Sequence, residues 1–125
     1  MRRRALLLIG ALLLATCAPA QPPPPLSRPL DCARGFDALS AAIIGDPGMR
    51  PAVKERGEPF AYYNAAGGQA SYMVTLPGAP GHPAILRQEV APGGGVTNSG
   101  CAYGDEKGYA ELVAYLEALA KARAR

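Results

Sequence analysis

Apolar and polar residues alternate in three short runs near the middle of the chain, and on either side they recur every three or four positions. The runs 60–63, 71–76 and 84–90 predict strands, because successive side chains of an extended backbone point to opposite faces. Gly67 and Gly68 sit in the first connection and suit a reversing turn. Pro77, Pro80 and Pro83 fill the second, where each proline removes a ladder donor and ends a strand. The pattern predicts a three-stranded antiparallel meander, with Val96-Thr97-Asn98 as a short fourth strand.

Helical spacing brackets this meander. Cys32, Phe36, Leu39 and Ile43 share one face of a helix expected over 31–44, with Asp31 as its N-cap and Gly45 as its stop. A second helix is expected over 105–122. Its stripe is Tyr109, Leu112, Val113, Leu116, Leu119 and Ala120, with Glu111, Ala114 and Ala118 opposite. Asp105 and Glu106 suit the positive end of its dipole, and Lys121, Arg123 and Arg125 the negative end. Residues 51–56 predict one or two further helical turns, with Pro51 at the first position and Gly57 at the end.

The expected fold is therefore α+β, a small domain in the order α-β-β-β-α, with both helices on one face of the sheet. Alternation places Phe60, Tyr62, Tyr72, Val74, Leu76, Ala84, Leu86 and Val90 under the helices. The other face then carries Tyr63, Met73, Thr75, Ile85, Arg87 and Glu89. Tyr63, Met73, Ile85 and Arg87 form a candidate contact surface, since aromatic, Met and Arg side chains are enriched at interfaces.

The amino terminus changes the picture of where this domain works. Arg2, Arg3 and Arg4 precede an apolar run over 5–15, the pattern of a bacterial-type export signal and too short to span a bilayer. Leu14-Ala15-Thr16-Cys17 resembles a lipobox, which makes Cys17 the candidate lipidation site; Thr16 stands where a smaller residue is usual. Ala18-Pro19-Ala20 offers an ordinary signal-peptidase site instead. The expected organisation is a signal peptide over 1–17, a proline-rich tether over 18–30 and one domain over 31–123. Pro22 to Pro25 favour an extended spacer.

Charge is read after cleavage. The chain has 13 Lys+Arg and 10 Asp+Glu, and removing the three leader arginines leaves 10 against 10. A neutral mature protein has no basic field for nucleic acid. Cys32 and Cys101 remain as a pair, and in an oxidising compartment they are expected to form a disulfide.

Candidate chemistry is thin. His82 stands alone in a proline-rich turn, and a disulfide would silence the thiol of Cys101 beside it in any catalytic scheme. Ser99 lacks a nucleophile elbow, and Gly93-Gly94-Gly95 lacks the Lys and Ser/Thr of a phosphate loop. No metal, nucleotide or haem motif is present, so no cofactor and no enzyme activity are expected. Cys32, Leu39, Ile43-Ile44-Gly45 and Cys101 resemble, over under a fifth of the chain, small exported bacterial inhibitors of serine proteases that staple a helix to a final strand. The Arg-Pro-Gly and Arg-Leu-Asn segments of that family are missing. The sequence thus predicts an exported, lipid-anchored envelope protein of structural or interaction type, periplasmic, partnered by an envelope protein and a membrane. An inhibitor or binder of an envelope enzyme is the alternative.

Overall fold

The computed structural model describes residues 15–19, 26 and 29–125; the signal peptide and tether expected over 1–30 lie mostly outside them. The domain is α+β. A 3-10 turn at Cys32–Arg34 leads into α1 (Phe36–Gly45), then β1 (Arg50–Pro51), β2 (Phe60–Asn64), β3 (Ala70–Thr75), β4 (Ala84–Val90), β5 (Val96–Ala102) and α2 (Glu106–Arg123). The five strands form one antiparallel sheet in sequence order.

Three element expectations are corrected. The sheet has five strands rather than three: the short fourth strand runs on to Ala102, and Arg50–Pro51 pairs with Tyr63 and Asn64. Residues 51–56 are consequently not helical, because Pro51 is spent on the sheet edge, where a missing donor costs nothing. The first helix starts later than expected. Gly35 takes a positive φ of 84°, which separates the turn at Cys32 from α1. Asp31 therefore caps the 3-10 turn, accepting from Ala33 N at 3.1 Å, instead of capping α1.

The helices also lie on opposite faces, not one. Val74 pairs with Ile85, and Ile85 with Cys101, so these share a face with Tyr72 and Ala70. Leu39 and Ile43 of α1 pack there, together with Leu30 from the tether. Met73 pairs with Leu86, and these point the other way, where Leu112 and Leu116 of α2 cover them with Ala84. Each buried aliphatic side chain of this kind stabilises the fold by about 1.5–3 kcal/mol.

The candidate contact surface is corrected with it. Met73 is 2% exposed, Ile85 0% and Arg87 4%, so these residues are core, divided between the two faces. Tyr63 is half-buried on the α1 side. Alternation along each strand was sound; the phase between strands was one residue out.

Cys32 and Cys101 are bonded, with their Cα atoms 5.4 Å apart and a sequence separation of 69. The bond ties the start of the domain to its last strand. Closing such a loop raises the free energy of the unfolded chain by about 4 kcal/mol. Tyr103 reinforces the same junction, its hydroxyl donating to the Cys32 carbonyl at 2.8 Å.

Two close backbone approaches position α2. Asp105 caps the helix by accepting from Gly108 N at 2.7 Å. Gly108 itself lies on the 77–83 connection so tightly that a Cβ there would meet Gly81 Cα at 2.7 Å. Further along, Gly100 of β5 faces Tyr109, whose hydroxyl would stand 2.8 Å from any Cβ at that position.

Candidate functional site

A helix with its side chains is about 10 Å across, while strands lie about 4.8 Å apart. One helix therefore covers about two strands. α2 packs on β4 and β5 and reaches Met73 of β3, which leaves the β2 side of that face beside it. The residues 52–58, between β1 and β2, form the far wall of the cleft that results. Its volume is about 340 Å³.

Strand register builds the floor. Asn64, Ser71, Gln88 and Asn98 stand opposite one another across four adjacent strands, and so form a polar row on the α2 face. Gln88 is fixed by two bonds from Nε2, to Asn98 Oδ1 at 3.1 Å and to the Leu116 carbonyl at 3.5 Å. Both amide protons are thus engaged, and its carbonyl oxygen remains for another donor. The next row, Tyr62, Met73 and Leu86, is apolar except for the phenol.

α2 supplies the near wall through Tyr115, Leu116, Leu119 and Arg123, which helical spacing gathers on one side. Tyr115 stacks on Phe60 with ring centroids 6.1 Å apart and planes 27° from parallel. Glu55 and Glu58 stand on the far wall.

Tyr62 is the most perturbed group here. Its hydroxyl is sealed from water without a hydrogen bond of ordinary length. Burial chiefly, then the neighbouring Tyr115 and Glu58, hold it well above the usual phenol range, while Arg123 pulls the other way. An unpaired buried hydroxyl costs about 1–3 kcal/mol.

The residues singled out in the sequence lie elsewhere. Arg87, on the α1 side, donates from Nε to the Tyr72 hydroxyl at 3.2 Å, pairs closely with Glu89, and stands 5.9 Å from the Tyr72 ring centroid. The Glu89 carboxylate first, and Tyr72 after it, stabilise the guanidinium charge against its burial and raise its pKa. Such a cluster fixes the α1 face rather than presenting it. His82 is half-buried: Nδ1 lies 2.8 Å from Thr75 Oγ1, and the ring meets Phe36 edge-on at 5.4 Å. Thr75 Oγ1 in turn accepts from Ala84 N at 2.8 Å, so His82 belongs to a turn-holding network. Cys101 is in the disulfide and offers no thiol. The glycines 93–95 form the β4–β5 hairpin, closed by Ala91 N to Gly95 O at 2.7 Å.

Cys17 is exposed with a free thiol. Among the described residues, no three His, Cys, Asp or Glu side chains gather to hold a metal, and no helix is long and apolar enough to cross a membrane. Sequence reasoning missed the cleft because Glu58, Tyr62, Gln88 and Arg123 share no motif. The one available signal was the recurrence of polar residues at Asn64, Ser71, Gln88 and Asn98 near strand ends, which only the register aligns. No protein-family model, curated protein or solved structure matches the chain.

Proposed function

We propose that this protein is an exported, lipid-anchored domain of the cell envelope, which works by binding an envelope component rather than by catalysis. The observation that carries the reading is the Cys32–Cys101 disulfide, which suits an oxidising compartment and agrees with an export signal ending at a lipobox cysteine. Cys17 would hold the membrane, and the folded domain would face the periplasm.

Leu26 packs against the α1-side core and Leu30 is part of it, so the folded domain takes in residues that the sequence assigns to the tether.

Binding is favoured over enzyme inhibition by the state of the 77–83 connection. Its Ala79 is buried and its Gly81 is pressed on α2, so the segment is engaged by its own domain. The cleft beside α2 is a surface open to an envelope partner or one of its components.

Fractionation of cells making the wild type and Cys17→Ser tests the anchor. The wild type is expected in membranes, with release by Cys17→Ser into the soluble envelope fraction. A wild type that is already soluble and begins at Gln21 would overturn the anchor. A reduced protein in the cytoplasm would overturn export.

A further inference from the structure

We propose that the cleft between α2 and residues 52–58 binds carbohydrate, taking a pyranose ring or a disaccharide at the end of an envelope glycan. The source of the glycan rests on the envelope reading above; the chemistry of the cleft does not.

The platform comes first. Tyr115 is 41% exposed and its ring is backed by Phe60, stacked at 6.1 Å, so one aromatic face is held in place beside the cleft. The C–H face of a sugar ring is apolar and flat enough to lie on such a ring, removing surface from water on both.

The floor then supplies hydrogen bonds of the right mixture. A sugar hydroxyl donates and accepts at once, and so suits groups of both kinds. Asn64 offers an amide, Ser71 a hydroxyl, and Gln88 the carbonyl oxygen left after its amide protons are engaged. The Tyr62 hydroxyl, beneath this floor, lacks a hydrogen-bond partner.

Charge argues against other small ligands. Glu55 and Glu58 oppose a phosphate or sulfate, while Arg123 opposes an ammonium ion. Carboxylates and a guanidinium together serve a polyol well, since neighbouring hydroxyls can donate to the former and accept from the latter. The polar row disfavours a lipid chain, because burying those amides against hydrocarbon leaves them unpaired. The volume, about 340 Å³, lies at the small end of the range for ligand clefts.

Saturation-transfer NMR on the acylated, disulfide-intact protein in detergent tests this. The probes are glucose, N-acetylglucosamine, its β-1,4 disaccharide and glucuronate, with choline and inorganic phosphate as competitors. Transfer to sugar ring C–H protons is expected for at least one saccharide, unaffected by choline or phosphate. Tyr115→Ala should abolish it in a protein that still folds, and Glu58→Gln should weaken it roughly three- to tenfold. If Tyr115→Ala does not fold, Glu58→Gln together with Asn64→Ala carries the test, since neither side chain is in the core. No transfer from any saccharide to a folded protein would overturn the proposal. So would transfer that survives these substitutions unchanged, or displacement by choline or phosphate. Sugar binding by a protein that proves cytoplasmic would sink the envelope reading and leave this one standing; an acylated protein without sugar binding would do the reverse.

Discussion

Gly81 and Gly108 meet backbone to backbone, where the 77–83 connection crosses the first turn of α2. A Cβ on Gly108 would overlap the Gly81 amide nitrogen, and one on Gly81 would come within 2.5 Å of Tyr109 N. Gly81 also has a φ of 67°, a conformation that L side chains rarely adopt. Neither neighbour is the movable end of a side chain, so the helix itself must shift to admit a methyl group. Gly108→Ala is expected to lower stability by about 2–4 kcal/mol, although alanine is the better helix former. Chemical denaturation measures this, and a Gly108→Ala protein as stable as wild type would show that α2 sits further from the connection.

Met73 and Ile85 belong to opposite sides of one buried sheet. Met73→Ser and Ile85→Ser each remove core contacts and introduce a hydroxyl into an apolar setting, at a cost of about 2–4 kcal/mol. The Met73 variant should loosen α2 and the Ile85 variant α1, which hydrogen exchange resolves helix by helix. Unchanged protection in both helices would return these residues to the surface.

The cross-link between Cys32 and Cys101 should matter as much as either core residue. Cys32→Ser or Cys101→Ser is expected to cost about 2–5 kcal/mol, and the double variant little more than one single. Thermal unfolding of the three variants checks this. Additive losses would mean that the side chains contribute separately from their bond.

Buried phenols give the fold an alkaline limit. Burial raises the pKa of Tyr62, Tyr103 and Tyr109 above the usual phenol value. Above about pH 10 the unfolded chain loses these protons while the folded chain keeps them. The unfolded state then binds fewer protons, so stability falls as pH rises, and below that window these groups add no pH dependence. Tyr62→Phe should make the decline shallower. An identical alkaline slope in that variant, followed by denaturant titration across the window, would show that Tyr62 ionises as freely in the fold as outside it.

The meander and α2 were legible because each strand and helix carries its own period. Leu112 and Leu116 lie in the stripe that faces the sheet, and 60–63, 71–76 and 84–90 became β2, β3 and β4 within a residue or two. Face assignment failed for a physical reason. Alternation sets which residues of one strand share a side, but the turn sets the phase between strands, and a slip of one residue exchanges the faces. Phe60 pairs with Thr75 and not with a neighbour of it, which puts Tyr62 with Met73. The runs Tyr72-Met73-Val74 and Ala84-Ile85-Leu86 are apolar at consecutive positions, the mark of a strand covered on both sides. β1 was not legible, since two residues carry no period, and the cleft follows from β1, the register and the width of α2 together.

Anchoring and export are tested together by the intact mass of the protein extracted from membranes without reductant and treated with a thiol alkylating agent. The expected species begins at Cys17, carries the added mass of a lipid, and takes up no alkylating agent at Cys32 or Cys101. A species beginning at Gln21, or one retaining the leader with alkylated cysteines, would contradict a lipid-anchored envelope domain.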